Sequence, residues 1–196
     1  MKLKETIIGE RDIILSDDVV NILGPKLELR NCNLTLNCAA DALVLAGVVV
    51  QGGSIVSTHG LINFHFERIS LNDVRIFGSY IGVDFGHWES PSFYPIKSLD
   101  LSRANLHQCR LINCDVSEVK LPSWPCFAVQ HPQQAVSYIA SVSWPGTMGT
   151  SMRVCADQDE GCVAVVLNAE NLAKRAGVSV NEVRCLVEGV PGVNIS

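Results

Sequence analysis

The side chains best suited to acid–base or metal chemistry are five histidines spread through the chain: His59, His65, His87, His107 and His131. No two of them have the spacing of paired metal ligands, so the sequence predicts no metal site. Three acids, Asp73, Asp84 and Asp100, could converge in the fold, but nothing in their spacing singles them out. The sequence therefore offers no acid–base pair on which to build a catalytic mechanism.

The eight cysteines indicate neither zinc binding nor redox catalysis, because no C-x-x-C pair occurs. Cys155 and Cys162 flank a short polar segment and could meet across a hairpin, either as a disulfide or, as we favour, as two buried thiols. The glycine-bearing stretch 146–151 lacks the lysine of a phosphate-binding loop. Nucleophile-elbow, kinase and dinucleotide-binding signatures are also absent, so we expect no enzyme and no cofactor.

The segment 85–95 is the clearest candidate binding surface. Its sequence, FGHWESPSFYP, is rich in aromatic residues and carries two prolines, Pro91 and Pro95. Aromatic side chains dominate the hot spots of protein interfaces, whereas an ordinary projecting loop is polar. We predict that this segment binds a protein partner through Phe85, His87, Trp88, Glu89, Phe93 and Tyr94. The alternative is that the loop folds back and covers one flank of the molecule.

The composition indicates a folded, acidic protein. Of its 196 residues 47% are hydrophobic and 18% are charged, which suits a chain that buries a core. The net charge is −5, so we expect no nonspecific binding to nucleic acid or to an acidic membrane. The longest apolar run, 42–50, is too short for a membrane span, and no signal-peptide pattern follows the first lysines. We predict a cytoplasmic protein.

A five-residue spacing of apolar residues runs through three blocks, 27–49, 54–81 and 99–121, with a register shift near Gly52 and Gly53. Neither a helix nor a flat strand has this period, whereas a chain that turns a corner every five residues does. We therefore predict a coil with four corners and about twenty residues per turn, whose turns stack at strand spacing. His59 is predicted to point inward, beside a column formed by Leu61, Ile81, Leu101 and Leu121.

These blocks resemble the pentapeptide-repeat family, whose unit is Ala-(Asp/Asn)-Leu-x-x. Ala104-Asn105-Leu106 and Cys114-Asp115-Val116 match the unit well. The resemblance implies a right-handed β-helix, and it makes inhibition of a DNA enzyme relevant because family members include DNA-mimicking inhibitors of gyrase. The first 121 residues carry 11 bases and 14 acids, well mixed, which departs from a strongly acidic mimic. Phe, Ile and Val often replace the small residue of the unit and 82–98 breaks the pattern, which leaves open a coil that is irregular or three-sided in places. The alternative fold is a β-sandwich with this spacing by chance.

The chain after Leu121 is predicted to be a separate unit, because the five-residue spacing ends among prolines. We place a β-helical domain at 1–122 and a small α+β domain at 127–196. Within the second domain the sequence predicts strands over 136–144, 151–156 and 161–167, the last two joined as a hairpin.

Two helices are predicted at the end of the chain. Asn168 is expected to cap a helix that ends at Gly177, and Ser179 with Glu182 to form the capping box of a second helix. The segment 168–189 resembles the helix-turn-helix of Cro-type repressors, which implies DNA binding through Lys174, Arg175 and Arg184.

The charge of this segment argues against a DNA reader. Four bases and six acids follow residue 121, too few cations for useful phosphate contacts. The alternative role is to cover the end of the β-helix, whose open strand edges would otherwise invite aggregation.

The sequence therefore predicts a mainly β fold, a right-handed pentapeptide-repeat-like β-helix followed by a small α+β domain. For function we predict a non-catalytic inhibitor, an immunity protein that neutralises a bacterial toxin such as a nuclease by covering its active site. An acidic surface suits a basic protein partner because it steers association. The alternatives are a DNA-binding transcription regulator that uses 168–189 and a DNA-mimic inhibitor of a DNA enzyme.

Overall fold

Short strands that stack in register build the first two thirds of the chain. In the computed structural model, which describes residues 1–90 and 92–195, they form a parallel β-solenoid of about 6 turns. Pro91, in the predicted binding loop, and Ser196 lie outside the described residues. The solenoid strands are β1 Lys2–Leu3, β2 Thr6–Gly9, β3 Asp12–Ser16, β4 Asn21–Leu23, β5 Leu27–Asn37, β6 Leu43–Leu45, β7 Val48–Ile62, β8 His65–Phe66, β9 Ile69–Asn72, β10 Arg75–Ile81, β11 Asp84–Phe85, β12 Ile96–Lys97, β13 Leu99–His107, β14 Cys109–Ile112 and β15 Val119–Lys120.

The remaining chain mixes helices with strands. Its elements are β16 Cys126–Gln130, α1 Val136–Ser141, α2 Met148–Ala156, β17 Cys162–Asn168, α3 Ala169–Ala176, α4 Val180–Val187 and β18 Val193–Asn194. Short 3₁₀ turns lie at Ala40–Ala42, Val116–Glu118 and Pro132–Ala135. None of the described helices is long and apolar enough to cross a membrane.

Each solenoid turn has three sides, so the predicted four-cornered coil is wrong. Leu27 pairs with Val48, and Val48 pairs with Ile69, so one turn takes 21 residues. Between β9 and β12 the turn lengthens, because Leu71 pairs with Ile96. The stretch between β11 and β12 is therefore an insertion into one turn, and we call it the inserted segment.

Single residues with left-handed backbone make one column of corners. Glu10, Asn31, Gly52 and Asp73 follow one another at the turn length, and each has φ between 50° and 68°. At the neighbouring Gly53, φ is 83° and an added Cβ would lie 2.0 Å from the carbonyl oxygen of Cys32 in the turn beneath. Glycine is required there because the backbones of two turns touch.

A bulge in β7 explains why the predicted inward column is only partly correct. Ser57 pairs with Gly78 and Leu61 pairs with Tyr80, so β7 has two more residues than β10 over this stretch. Leu61 and Leu101 are buried as predicted, but Ile81 faces outward and Leu121 is half-buried. His59 lies in the bulge and is exposed, which contradicts its predicted inward position.

The first sequence block also departs from its predicted spacing. Leu29 and Leu34 are buried as expected. Val44 and Val49, predicted to point inward, are 43% and 38% exposed. Side chains in the strands after Leu34 point alternately into and out of the solenoid, so inward positions recur every two residues. A spacing of five residues does not match these positions once the chain has turned a corner.

Two of the three strands predicted after residue 135 are wrong. Residues 136–141 and 148–156 are the helices α1 and α2, so no hairpin joins 151–156 to 161–167. In α2 the side chains of Met148, Met152 and Cys155 are buried, which is the spacing of one helix face. The third predicted strand is confirmed as β17.

Both predicted helix caps at the end of the chain are confirmed. The side chain of Asn168 accepts a hydrogen bond from the Asn171 N–H, and α3 ends at Gly177, whose φ is 71°. Ser179 and Glu182 form the capping box of α4. These local hydrogen bonds satisfy helix-terminal N–H groups, which is why the residue types alone predict them.

Two clusters of buried apolar side chains fill the interior. The first runs through the solenoid, and the second lies among Ile112, Phe127, the helices and β17. Strand β17 pairs antiparallel with both β14 and β16, so one six-stranded sheet joins the solenoid to the C-terminal segment. Cys155 and Cys162 are free buried thiols, and burial raises the pKa of each to about 12.

Candidate functional site

Three charged or polar side chains from successive turns meet on one side of the solenoid. His65 on β8 pairs in register with Asp84 on β11, and Asp84 pairs with Arg110 on β14. The residues that follow them, Phe66, Phe85 and Leu111, are buried in the core. Because side chains alternate along a strand, His65, Asp84 and Arg110 lie on the outer face, and we call them the charged ladder.

The carboxylate of Asp84 is the centre of the charged ladder. It is 1% exposed and accepts two hydrogen bonds from Arg110, from Nε at 2.6 Å and from Nη2 at 2.7 Å. His65 Nδ1 lies 2.7 Å from Asp84 Oδ2, the oxygen that also accepts from Arg110 Nη2. Hydrogen bonding to Asp84, with its negative charge, raises the pKa of Arg110. A bidentate pair of this kind fixes the guanidinium plane as well as neutralising the buried charge.

Arg110 connects the charged ladder to the inserted segment. Its guanidinium carbon lies 5.2 Å from the ring centroid of Trp88, a cation–π contact. Its Nη1 donates to Gln158 Oε1 at 3.3 Å, beyond the end of α2. Trp88 is half-buried and also packs against the second core cluster. The same guanidinium therefore contacts the solenoid, the inserted segment and the C-terminal segment.

Asn113 holds the backbone of the inserted segment. Its Nδ2 donates to the carbonyl oxygens of His87 and Trp88, at 2.9 and 2.8 Å. The backbone N–H of Glu89 donates to His87 Nδ1 at 3.2 Å. These bonds hold the backbone of residues 87–89. We call residues 86–90 and 92–95 the aromatic loop.

The outer part of the aromatic loop is a small group of rings. The His87 ring lies 5.6 Å from that of Phe93, edge to face, and 5.8 Å from that of Tyr94. Phe93 is 53% exposed, while Tyr94 is half-buried with its hydroxyl close to Gly47 on the solenoid. The loop thus folds back onto the solenoid at Trp88 and Tyr94 and presents Phe93 to solvent.

Most of the predicted partner-binding residues lie together in this loop, and one does not. His87, Trp88, Glu89, Phe93 and Tyr94 belong to the aromatic loop. Phe85 is fully buried, stacked on Phe66 at 5.2 Å, because it occupies an inward position of β11. It belongs to the solenoid core and takes no part in the exposed surface.

The residues predicted for DNA binding lie at the far end of the chain. Lys174 and Arg175 are exposed in the last turn of α3. Arg184 on α4 donates from Nε to Glu188 at 2.8 Å, and its guanidinium carbon lies 5.4 Å from the Trp124 ring centroid. Arg184 is thus partly neutralised within its own helix.

The three acids that could have converged do not meet. Asp84 belongs to the charged ladder, Asp100 accepts hydrogen bonds from Ser102 and lies 3.7 Å from Lys120, and Asp73 occupies a corner. Within the described residues, no group of three His, Cys, Asp or Glu side chains could hold a metal ion.

Sequence reasoning missed the roles of His65, Arg110 and Asn113. The pairing offsets from β8 to β11 and from β11 to β14 are 19 and 26 residues, because of the β7 bulge and the insertion. Only the exact register brings these residues together. The sequence does carry one signal for these positions, a polar residue directly before a large apolar one. It occurs three times, in His65-Phe66, Asp84-Phe85 and Arg110-Leu111.

Comparison with known proteins assigns no relative. No family model, curated protein or solved structure matches the chain. The function must therefore be inferred from the contacts, exposure and charge of the residues in the charged ladder and the aromatic loop.

Proposed function

We propose that this chain is a non-catalytic protein-binding inhibitor, which neutralises a toxin or an enzyme by covering its active site with the aromatic loop. The observation that supports it best is that the Phe93 side chain is 53% exposed, while other residues of the same loop are held in place by Arg110 and Asn113. An exposed aromatic ring on a fixed base suits an interface anchor, because little conformational entropy is lost when it binds.

Three interactions prearrange the loop. Trp88 lies on the Arg110 guanidinium, Asn113 bonds two loop carbonyls, and Tyr94 contacts the solenoid near Gly47. The first two contacts join the loop to β14 and the residue that follows it, and the third joins the loop to the solenoid near Gly47. The loop therefore cannot shift without breaking one of them. The outer rings of His87 and Phe93 then form a preformed surface for a partner.

The charge of the chain bears on the kind of partner. The net charge is −5, with acids and bases mixed along the solenoid. A basic protein, such as a nuclease toxin, would be attracted at long range and then held by the aromatic contact. These features together fit an immunity protein in the cytoplasm of a bacterium.

We also propose that the solenoid is right-handed, because crossover connections between parallel strands are almost always right-handed.

A second proposal is a transcription regulator that uses α3 and α4. The observation in its favour is that both helices are capped and joined by the three-residue turn 177–179. The pairing of Arg184 with Glu188 weakens it, because the second helix then carries no free cation toward a phosphate. A DNA-mimic inhibitor has less support still, since the acids of the solenoid are mixed with nearly as many bases.

Affinity capture from native cell extracts tests the main proposal, with the full chain as bait. The test variant is Phe93→Ser, and the control is Ile62→Ser, a residue of similar exposure, 54%, on the solenoid. We expect one stoichiometric protein, retained by the control and lost from the test variant through an affinity at least about tenfold weaker. The captured protein should lose its activity when mixed with the wild-type chain.

Three results would overturn the proposal. One is equal capture of the same protein by both variants, and another is a captured enzyme that stays fully active in the complex. The third is recovery of DNA fragments without a protein, lost on replacement of Lys174 and Arg175 by alanine, which would favour the transcription regulator.

A further inference from the structure

A cavity of about 240 Å³ lies between one corner of the solenoid and the helix α2. Corner residues of three successive turns form its solenoid wall, and these are Asn63, Gly82 and Gln108. Each has a left-handed backbone, with φ between 51° and 63°. At Gly82 an added Cβ would lie 2.5 Å from Asn63 Oδ1, so glycine leaves room for the Asn63 amide. The opposite wall comes from α2 and β17, through Ser151, Val154, Val165 and Leu167.

The hydroxyl of Ser151 is the strongest sign that this cavity holds a ligand. Ser151 is 5% exposed and borders the cavity, and its Oγ makes no hydrogen bond to any described residue. A buried hydroxyl without a partner carries a desolvation cost, so such groups are normally paired with protein, water or a ligand. The larger hollow beside Lys120, of about 590 Å³, has no polar side chain buried to this degree among the residues that line it.

Two side-chain amides with unused hydrogen-bonding groups border the same space. Neither Asn63 nor Gln108 makes a side-chain hydrogen bond to a described residue. An amide group carries a donor and an acceptor side by side in one plane. Together with the Ser151 hydroxyl, these amides would bind a molecule that offers both acceptors and donors.

The charge at the cavity is already neutralised. Of the described residues that line it, Arg110 alone is charged, and its Nε and Nη2 donate to the carboxylate of Asp84. Its Nη1 donates to Gln158 Oε1. A charged ligand would lose its hydration without gaining a counter-ion, so the cavity favours a neutral one.

We propose that this cavity binds a small uncharged ring with amide-type donors and acceptors on its edge, the chemistry of a nucleobase. The amides of Asn63 and Gln108 and the hydroxyl of Ser151 bind the edge of the ring. The apolar side chains of Val165 and Leu167 contact its faces. At about 30 Å³ for each water molecule, the cavity has room for about eight, which is close to the number of non-hydrogen atoms in a pyrimidine base.

The apolar wall also distinguishes a nucleobase from a sugar of similar size. Hydroxyl groups surround the ring of a monosaccharide, and those directed at Val154, Val165 and Leu167 would lose water without a new partner. A nucleobase has apolar faces and keeps its polar groups on the edge, so it leaves fewer of them unpaired.

NMR titration of the full-length, ¹⁵N-labelled chain tests the proposal. Uracil, cytosine and adenine are the probes, and D-glucose is the neutral comparison that carries hydroxyls in place of amides. We expect at least one base to bind with a dissociation constant below about 1 mM and to shift the side-chain amide signals of Asn63 and Gln108. Binding of D-glucose should be at least about tenfold weaker.

Two variants remove the proposed ligand contacts. Ser151→Ala deletes one hydrogen bond to the base and should raise its dissociation constant at least about fivefold. Gln108→Met keeps the length of the side chain without its amide and should weaken binding at least as much.

The matched control is Ser57→Ala. Ser57 is also 5% exposed and its hydroxyl also lacks a partner, but it lies in β7 and does not line the cavity. This variant should bind the base like the wild type. Both serine variants should unfold at a urea concentration no lower than the wild type does, since neither substitution leaves a buried group unpaired.

The proposal is overturned if none of the three bases binds at about 1 mM, which would mean that the cavity holds water only. D-Glucose that binds as tightly as the bases would overturn the ligand class. A base that binds Ser151→Ala as tightly as the wild type, or that shifts signals only outside the cavity, would overturn the site.

Discussion

The guanidinium carbon of Arg110 lies over the Trp88 ring, 5.2 Å from its centroid, while Nε and Nη2 of the same group donate to the buried carboxylate of Asp84. This relationship ties the inserted segment to the strand register of the solenoid. A planar guanidinium can serve both contacts together, because its donors lie in the plane and its faces are free to stack. The position of the aromatic loop is therefore set by a buried ion pair in the adjacent turns.

Replacing Asp84 by asparagine should destabilise the fold markedly. Asp84 is 1% exposed, and its loss of charge leaves the Arg110 guanidinium without its counter-ion. We expect a loss of about 3 kcal/mol in the free energy of unfolding, measured by urea denaturation. The control Glu188→Gln removes the exposed ion pair with Arg184 and should cost less than about 1 kcal/mol. Equal effects from the two substitutions would show that the charged ladder has no special stabilising role.

The two phenylalanines at the ends of the predicted binding segment should behave oppositely. Phe85→Ala removes a fully buried ring that stacks on Phe66 and should cost about 3 to 5 kcal/mol of unfolding free energy. Phe93→Ala removes a ring that is 53% exposed and should change stability by less than about 1 kcal/mol. Thermal and urea unfolding of both variants check this. A large loss for Phe93→Ala would mean that this ring stabilises the fold.

Acid should destabilise the protein through His107. Burial, together with the positive charge of Arg175, lowers the pKa of His107 to about 4. Its Nδ1 accepts a hydrogen bond from the Asn168 N–H, so the ring is held neutral. Because the unfolded chain binds this proton near pH 6.5, stability is present above that pH and is lost as pH falls toward 4.

The size of this effect is measurable against a variant. Over this range His107 should account for roughly 3 kcal/mol of the loss in unfolding free energy. His107→Asn keeps an acceptor for the Asn168 N–H but does not titrate. Unfolding free energies of both proteins at several pH values between 4 and 7 give the difference. Parallel pH curves for the wild type and the variant would contradict the assignment to His107.

Two glycines with left-handed backbone should differ in their tolerance of alanine. At Gly53 an added Cβ would lie 2.0 Å from the Cys32 carbonyl oxygen, whereas at Gly177 nothing lies within 4 Å. Gly177→Ala should cost about 1 kcal/mol, the strain of the left-handed conformation. Gly53→Ala must also separate two stacked turns and should lower the unfolding midpoint much further. Similar midpoints for both variants would show that the turns can separate easily there.

The solenoid was predictable because its inward positions recur along the sequence. Leu61, Leu71 and Leu101 are apolar at the expected positions and are buried. The number of sides per turn was not predictable from the five-residue spacing. That spacing follows only the apolar residues, whereas each turn also contains corner residues in left-handed conformation. Asn31 and Asp73, whose φ values are positive, are such residues.

Local signals and long-range register explain the other successes and failures. The caps at Asn168 and Ser179 follow from neighbours three residues away, so the sequence shows them directly. The strand predicted over 151–156 is wrong because this segment belongs to α2, in which the buried residues Met148, Met152 and Cys155 have helical spacing. Asp84 and Arg110 meet only through the lengthened turn, which no local pattern reveals.

Site-specific photo-crosslinking gives the sharpest test of whether Phe93 lies at the centre of a protein interface. A photoreactive benzoylphenylalanine is placed at position 93 in one protein and at position 62 in another, and each is illuminated in native cells. Both positions are more than half exposed, so they are equally accessible. We expect one specific crosslinked protein from position 93 and none from position 62. No crosslink from position 93, or the same products from both positions, would contradict it.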